Sequence, residues 1–386
     1  LTTRVDLSAA GNHVVTATIA EQPAVVTPEN NEVSAEVYCV KEAPNGFYAL
    51  QLKTQANSSR TDYVDVQQVS GLLAGIVDDD EPRCIEMLVN IDRPQLGLLM
   101  EAEGFRVLSL KGEDDYPDNS IGVAVGDWME LVTTTKAVLT PGVWHHIAIM
   151  IPEIQENFEG SRTLVDIYVD GQKQQVLTQG GTRPSFEHLH LGSRFDGKIN
   201  VFRIWKGERT EADIRSQMHQ YVRKADGSLP AACLAEFAFN EGPANLVALS
   251  GSLSATMRLS DPSLAEKTDG TGLWYPLAAD DLIASVEFDG QKGASRKSGQ
   301  HAWEATFPLR AELGRVKGRI VPAWSGASIT YKSQPVTADS EFDLTKDVEL
   351  VAELKGVLGH DFAETASVAA KRDLDEANEL KSLAIE

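Results

Sequence analysis

The sequence predicts an all-β protein, an antiparallel sandwich with flanking β modules and one short helix. Between residues 144 and 205, four short runs are apolar or alternate between apolar and polar residues, and turn residues close each of them. Similar runs recur before and after this stretch at spacings of about 8–12 residues. Such spacing favours consecutive antiparallel strands over units in which strands and helices alternate.

The strand candidates follow one another along most of the chain. In the N-terminal part, residues 13–19 and 33–40 are rich in Val and Thr. The central candidates are residues 47–52, 63–66, 84–90, 96–100, 105–110, 121–125, 129–132, 144–150, 164–169, 189–191, 195–205 and 234–239. The dipeptide at 170–171 is Asp-Gly, which supplies the positive φ angles of a two-residue hairpin. Residues 251–274 are predicted to be an exposed connection rich in Ser and Asp.

One short helix is predicted after residue 209. Thr210 is its expected N-cap, and Asp213 occupies the third helical position, as in a capping box. Ile214, Met218 and Tyr221 then recur at helical spacing.

Changes in composition predict four segments. They are an N-terminal β segment at 1–44, a central sandwich with its C-terminal extension at 45–276, a β module at 280–360, and a charged helical or frayed tail at 361–386. Residues 364–383 of the tail are rich in Ala, Glu and Lys, which favours a helix.

Length and charge restrict the class of protein. At 386 residues the chain is long enough for two or three domains. Its net charge of -22 disfavours nucleic acid and anionic membrane surfaces as partners. No run of about 18 apolar residues is present, so no membrane span is predicted. The first residue is Leu1 rather than Met, which favours a processed or trimmed start.

The cysteines do not indicate a disulfide framework or a zinc site. Cys39, Cys84 and Cys233 are far apart, and none belongs to a CxxC pair. Cys39 and Cys84 lie within strand candidates, so we expect buried, reduced thiols there. A single bridge remains an alternative.

Six motifs in the central segment occur in an order that resembles a known family. They are Asp62-Tyr63-Val64, Cys84–Val89, Gly142–Ala148, Tyr168–Gly171, Leu189–Gly192 and Phe195–Trp205. Over residues 47–221, the chain is similar to the laminin-G-like, concanavalin A-like jelly roll. In the last motif, Asn200 stands where the family usually has Asp. More weakly, residues 319–348 resemble immunoglobulin-like repeats of bacterial surface proteins.

The resemblance implies a secreted or cell-surface protein that binds carbohydrate, a glycoprotein or another protein surface through loops at one edge of the sandwich. It also implies that the protein is not an enzyme. An alternative is a structural subunit of a fibre, appendage or toxin complex, with a homo-oligomer or larger assembly left open. A glycan-active enzyme is a third hypothesis.

Acidic loop residues are candidates for a Ca²⁺ site, because hard carboxylate and amide oxygens are the ligands that calcium prefers. The favoured ligands are Asp114, Asp115, Asp118 and Asn119, and the segment 78–81 is a second acidic cluster. Tyr116 and Trp128 could stack on a sugar beside the first cluster. The alternative is that these acidic runs are solvated turns.

Zinc and glycosidase chemistry are less well supported. His145 and His146 are neighbours on a strand and point to opposite faces, so they cannot share one ion without distortion. His188 and His190 could face the same side, but no third ligand lies nearby. Residues 287–291 and 341–345 begin the alternating carboxylate pattern of a glucanase and fail at its third position.

Overall fold

The computed structural model describes residues 11–18, 32–39, 48–53, 62–67, 81–102, 105–112, 116–125, 130–151, 155–157, 160–162, 165–177, 189–224, 226–243, 245–250, 253–259, 261–266, 272–277, 279–288, 291–292, 294–299, 302–308, 315–337, 339–343, 348–358 and 360–373. The first described element is a hairpin of β1 (Gly11–Thr18) and β2 (Glu32–Cys39), which form a two-stranded sheet of their own. Both strands lie where the sequence predicts them.

The central strands form two large sheets and one small hairpin. They are β3 (Tyr48–Leu52), β4 (Tyr63–Gln67), β5 (Arg83–Ile91), β6 (Gly97–Ala102), β7 (Phe105–Leu110), β8 (Ser120–Val125), β9 (Glu130–Thr134), β10 (Trp144–Ile151), β11 (Gln155–Asn157), β12 (Gly160–Arg162), β13 (Asp166–Val169), β14 (Gln172–Lys173), β15 (Val176–Leu177), β16 (Leu189–Leu191), β17 (Gly197–Lys206), β18 (Cys233–Phe237), β19 (Val247–Ser250), β20 (Leu253–Arg258) and β21 (Trp274–Pro276).

Hydrogen bonding arranges these strands as a sandwich. The eight-stranded sheet runs in the order β14-β13-β10-β5-β17-β3-β21, with β18 added beside β17. The nine-stranded sheet runs in the order β15-β9-β8-β7-β6-β16-β4-β20-β19, and β11 pairs with β12. Side chains from both large sheets share one core cluster. The predicted all-β antiparallel sandwich is therefore confirmed.

The eight-stranded sheet is covered on both faces. Ile147 and Ile149 of β10 belong to the core cluster between the sheets. Ala148 and Met150, on the opposite parity, pack in a second cluster with Trp205. This explains why β10 is buried at every position.

The single α-helix of the described residues, α1 (Glu211–Gln217), covers the outer side of that sheet. The Oγ1 of Thr210 accepts a hydrogen bond from the Asp213 amide at 3.1 Å. Asp213 Oδ2 in turn accepts from the Thr210 amide at 3.0 Å. The predicted capping box is confirmed, and Ile214 is the buried residue of the helix.

Two further sheets follow the sandwich. Their strands are β22 (Ile283–Phe288), β23 (Gln291–Lys292), β24 (Ala294–Gly299), β25 (Ala302–Pro308), β26 (Arg315–Pro322), β27 (Ser328–Tyr331), β28 (Gln334–Pro335), β29 (Glu341–Asp343), β30 (Val348–Leu358) and β31 (His360–Asp373). The orders are β23-β22-β26-β29 and β24-β25-β31-β30-β27-β28, and β25 pairs with β31 in parallel. Ala323 O accepts from the Trp144 amide at 3.1 Å, so this part contacts the sandwich.

Two local predictions are wrong. The tail at 361–386 is predicted to be a charged helix or a frayed end, but residues 364–373 belong to β31, which pairs with β30 as far as residue 370. The sheet therefore continues past residue 360, and residues 374–386 lie outside the described part of the chain. The predicted connection at 251–274 contains β20, which pairs with β4 inside the nine-stranded sheet. In both places pairing with neighbouring strands outweighs local composition.

The described thiols are expected to be unreactive. Cys84 and Cys233 are buried and not bridged, as predicted for Cys84. Burial raises the pKa of Cys84 well above its usual value and that of Cys233 to about 12. We therefore expect neither thiol to react within minutes with Ellman's reagent at pH 8, whereas both react after denaturation. Replacing Cys39 by Ser isolates these two thiols, and fast labelling of the native variant would contradict their burial.

Candidate functional site

The predicted rim loop lies between β7 and β8. Asp114, Asp115 and Trp128 fall outside the described residues, so their placement stays a prediction. Asp118 Oδ1 accepts a hydrogen bond from the Gly112 amide at 2.6 Å, and Asp118 is exposed. Tyr116 is half-buried in the same loop. Asp118 thus helps to close the loop on which the predicted ligands lie.

Asn119 gives this loop its shape. Its φ of 63° places it in the left-handed region, which Asn tolerates better than most residues. Its amide donates to Leu110 O at 2.9 Å, and its carbonyl accepts from the amides of Val138 and Leu139 at 3.0 Å. The position of Asn119 is therefore determined by backbone contacts to β7 and to the segment before β10.

The histidine pair on β10 does not form a metal site. His145 Nδ1 lies 2.8 Å from Asp170 Oδ2, and its Nε2 accepts from the Thr140 amide at 2.9 Å. His146 Nε2 lies 3.6 Å from Glu86 Oε2. The two rings contact different partners, as expected for neighbours on a strand. Within the described ranges, no group of three or more His, Cys, Asp or Glu side chains is arranged to hold a metal ion.

A buried ionic network lies between the eight-stranded sheet and α1. Arg203 is fully buried; its Nη1 lies 3.1 Å from Glu86 Oε2 and its Nε 3.0 Å from Glu236 Oε1. Arg203 also donates to the carbonyls of Gln217 and Gln220. The network therefore fixes the end of α1 and the segment after it on the sheet.

This network keeps Glu86 ionised. Burial by itself raises the pKa of Glu86, but the nearby His146, 3.6 Å away, and the charges of Arg203 and Arg209 lower it to about 2. A general acid in glycoside hydrolysis needs a raised pKa. Glu86 is therefore a structural carboxylate and unsuited to donate a proton near neutral pH.

Glu241, in the turn after β18, is the contrasting carboxyl group. Burial raises its pKa, and its Oε2 is buried without a hydrogen-bond partner among the described residues. Glycoside hydrolysis requires a second carboxyl group across a cleft. Because a general acid needs a raised pKa, Glu241 is the residue on which the enzymatic alternative can be tested.

The outward surface of the nine-stranded sheet carries a compact group of polar side chains. Val64 and Val66 of β4 point into the core, so Tyr63 and Asp65 lie on the opposite surface. The register across β4, β16, β6 and β7 aligns Asp65, His190, Glu101 and Arg106 in one row. We call the following six residues the open face: Tyr63, Asp65, Glu101, Arg106, His190 and Arg258.

Contacts within the open face hold its side chains in place. The rings of Tyr63 and His190 lie 4.6 Å apart between centroids and are inclined by 52°. Arg258, opposite Tyr63 in the register, places its Nη2 3.3 Å from Asp65 Oδ2. Arg106 Nε lies 2.8 Å from Glu101 Oε1. These residues stay accessible, since the side chains of the five charged or imidazole residues are between 21% (Asp65) and 49% (Arg258) exposed and Tyr63 is half-buried.

The sequence motifs and strand assignments predicted only part of this surface. Tyr63 belongs to the Asp62-Tyr63-Val64 motif, and His190 was expected on the polar outer face of a strand. Sequence reasoning missed Asp65, Glu101, Arg106 and Arg258. The available signal was the alternation within each strand, in which these residues take the parity opposite to the core residues.

The central strands match a family with this architecture. Residues 83–215 match the laminin G family model described as the concanavalin A-like lectin/glucanases superfamily. The stretch from β5 into α1 is therefore of the concanavalin A type, and the resemblance drawn from the motifs is confirmed there.

Solved structures show more distant similarity. A proposed carbohydrate-binding protein from Bacteroides ovatus is 17% identical, with 65% of this chain and 68% of that chain covered and a TM-score of 0.38. The binding domain of botulinum neurotoxin DC, in complex with SialylT, is 10% identical, with 94% and 90% covered and a TM-score of 0.34. The receptor-binding domain of botulinum neurotoxin type G is 11% identical, with 74% and 78% covered and a TM-score of 0.28. No curated protein matches this chain.

Among the described residues, no helix has the length and apolar character required to cross a membrane.

Proposed function

We propose that this protein is a non-catalytic carbohydrate-binding module that acts outside the cell, either secreted or at a cell surface. The observation that carries the proposal is the match of residues 83–215 to a superfamily named for lectins and glucanases.

A glycan array tests this function directly. The purified chain is expected to bind a defined subset of glycans and to release no reducing ends from them. Self-association without any sugar preference would instead favour the assembly-subunit alternative. Hydrolysis of a polysaccharide that disappears in Glu241→Gln would contradict the non-catalytic assignment.

We further propose that Ca²⁺ binds the rim loop through Asp114, Asp115, Asp118 and Asn119. An ion that binds only the folded chain raises its melting temperature, by the equivalent of about 2.7 kcal/mol at a hundredfold excess over the dissociation constant. Replacing both Asp115 and Asp118 by Ala should abolish this calcium-dependent rise in melting temperature, which differential scanning fluorimetry measures.

Asp226→Ala is the matched control for that experiment. Asp226 is also an exposed turn residue, and its Oδ1 accepts from the Ser228 amide at 2.9 Å. Both changes therefore remove a carboxylate that closes a turn, but only the rim-loop variant should lose the response to calcium. An undiminished response in the double variant would exclude this loop as the site.

A further inference from the structure

We infer that the open face is the carbohydrate-binding surface and that its ligand is an uncharged oligosaccharide lying across the strands. The inference rests on the proposed function and adds both the place and the class of ligand. It differs from the rim-loop expectation, because the open face is built from strands and needs no metal ion.

The charge of the open face points to an uncharged ligand. Among its six residues, the carboxylates of Asp65 and Glu101 are balanced by the guanidinium groups of Arg258 and Arg106. A surface for a charged glycan would carry an excess of the opposite charge. The chain as a whole has a net charge of -22, which further disfavours acidic glycans.

The chemistry of the open face suits sugar hydroxyl groups. Carboxylates accept hydrogen bonds and guanidinium groups donate them, whereas a hydroxyl group does both. The ion pairs hold these groups in fixed positions, so less side-chain freedom is lost when a ligand binds. The Tyr63 ring, supported by His190, adds an aromatic surface for the apolar side of a sugar ring.

The dimensions favour an oligosaccharide over a single sugar. The row from Asp65 to Arg106 crosses four neighbouring strands, which corresponds to roughly 14 Å at the usual strand spacing. A ligand of several sugar units can contact the whole row at once. Because the residues lie on paired strands, their spacing is set by the sheet and not by loops.

Tyr63→Ala and His190→Ala test the inference. We expect each variant to bind uncharged hexose oligosaccharides at least about tenfold more weakly than the parent chain by isothermal titration calorimetry, after an array has selected the oligosaccharide. Tyr63→Phe, which keeps the ring, should retain most of the affinity. Circular dichroism and melting temperature are measured for every variant to establish that it is folded.

Lys173→Ala is the matched control. Lys173 lies on the other sheet, is 52% exposed, and forms an ion pair of 2.6 Å with Asp166. Its replacement by Ala removes a partly exposed side chain outside the open face, so it shows whether binding responds to a substitution elsewhere on the surface. Binding should be unaltered in this variant.

The outcomes separate this inference from the proposed function. If the chain binds glycans but Tyr63→Ala and His190→Ala bind as tightly as the parent, the open face is not the site and only the inference is overturned. A preference for sialylated or sulfated glycans overturns the ligand class. If no glycan binds at all, the proposed function itself fails.

Discussion

Replacement of Arg203 by Met is expected to lower the free energy of unfolding by about 3–5 kcal/mol. The change removes the guanidinium that pairs with both Glu86 and Glu236, so Glu236 loses this charge and Glu86 keeps the contact with Arg209 at 3.0 Å. It also removes donors to the carbonyls of Gln217 and Gln220, so the segment after α1 loses its attachment to the sheet. Urea titration followed by tryptophan fluorescence measures the loss.

Arg215→Met provides the comparison. Arg215 is 51% exposed, pairs with Glu211 on the surface of α1, and donates from its Nε to Gly171 O at 2.9 Å, and partly exposed contacts of this kind each contribute about 1 kcal/mol or less. Combining Arg203→Met with Glu86→Gln and Glu236→Gln should recover part of the lost stability, because the buried charges are removed together. If Arg203→Met and Arg215→Met lower the free energy of unfolding equally, the buried ionic network around Arg203 does not hold α1 on the sheet.

Acid is expected to destabilise the protein in two overlapping steps. Burial lowers the pKa of His219 to about 4, with the charges of His146 and Arg203 adding to this and that of Asp170 opposing it. The unfolded chain therefore binds a proton at His219 first, and stability falls as the pH drops from about 6.5 to 4. Glu86, with a folded pKa of about 2, contributes stability that is lost between about pH 4.5 and 2. Each step amounts to at most about 3.5 kcal/mol.

His219→Gln separates the two steps. The side chain of His219 is buried, and its Nε2 lies 2.9 Å from Ser325 Oγ, a contact between the sandwich and the segment after β26. An amide can keep a hydrogen bond there and does not titrate. Melting temperatures recorded from pH 7.5 to 3 should lose the upper step in this variant and keep the lower one. Persistence of the upper step would assign it to other groups.

Local sequence signals were sufficient for much of the fold. Alternation and turn residues located β5 and β10 to within one or two residues. The capping box at Thr210 and Asp213 located the start of α1, because it depends on residues three positions apart.

The structural features that the sequence did not predict depend on contacts between residues that are distant in the chain. The composition of residues 364–373 favours a helix, yet pairing with β25 and β30 makes this segment a strand. The grouping of side chains on the open face likewise depends on the pairing of distant strands. Asp65, His190 and Glu101 are far apart in the chain, and only the register of β4, β16 and β6 makes them neighbours.

The pairing of β3 with β21 has a consequence for biosynthesis. Trp274 is fully buried, belongs to the core cluster, and lies opposite Leu50 in the register. The eight-stranded sheet can therefore be completed only after residues up to Pro276 have been synthesised and have left the ribosome. Until then, the backbone of β3 presents an unprotected edge on which nascent chains can associate. Chains that terminate upstream of Leu273 should therefore accumulate in inclusion bodies to a greater extent than chains that end after Pro276.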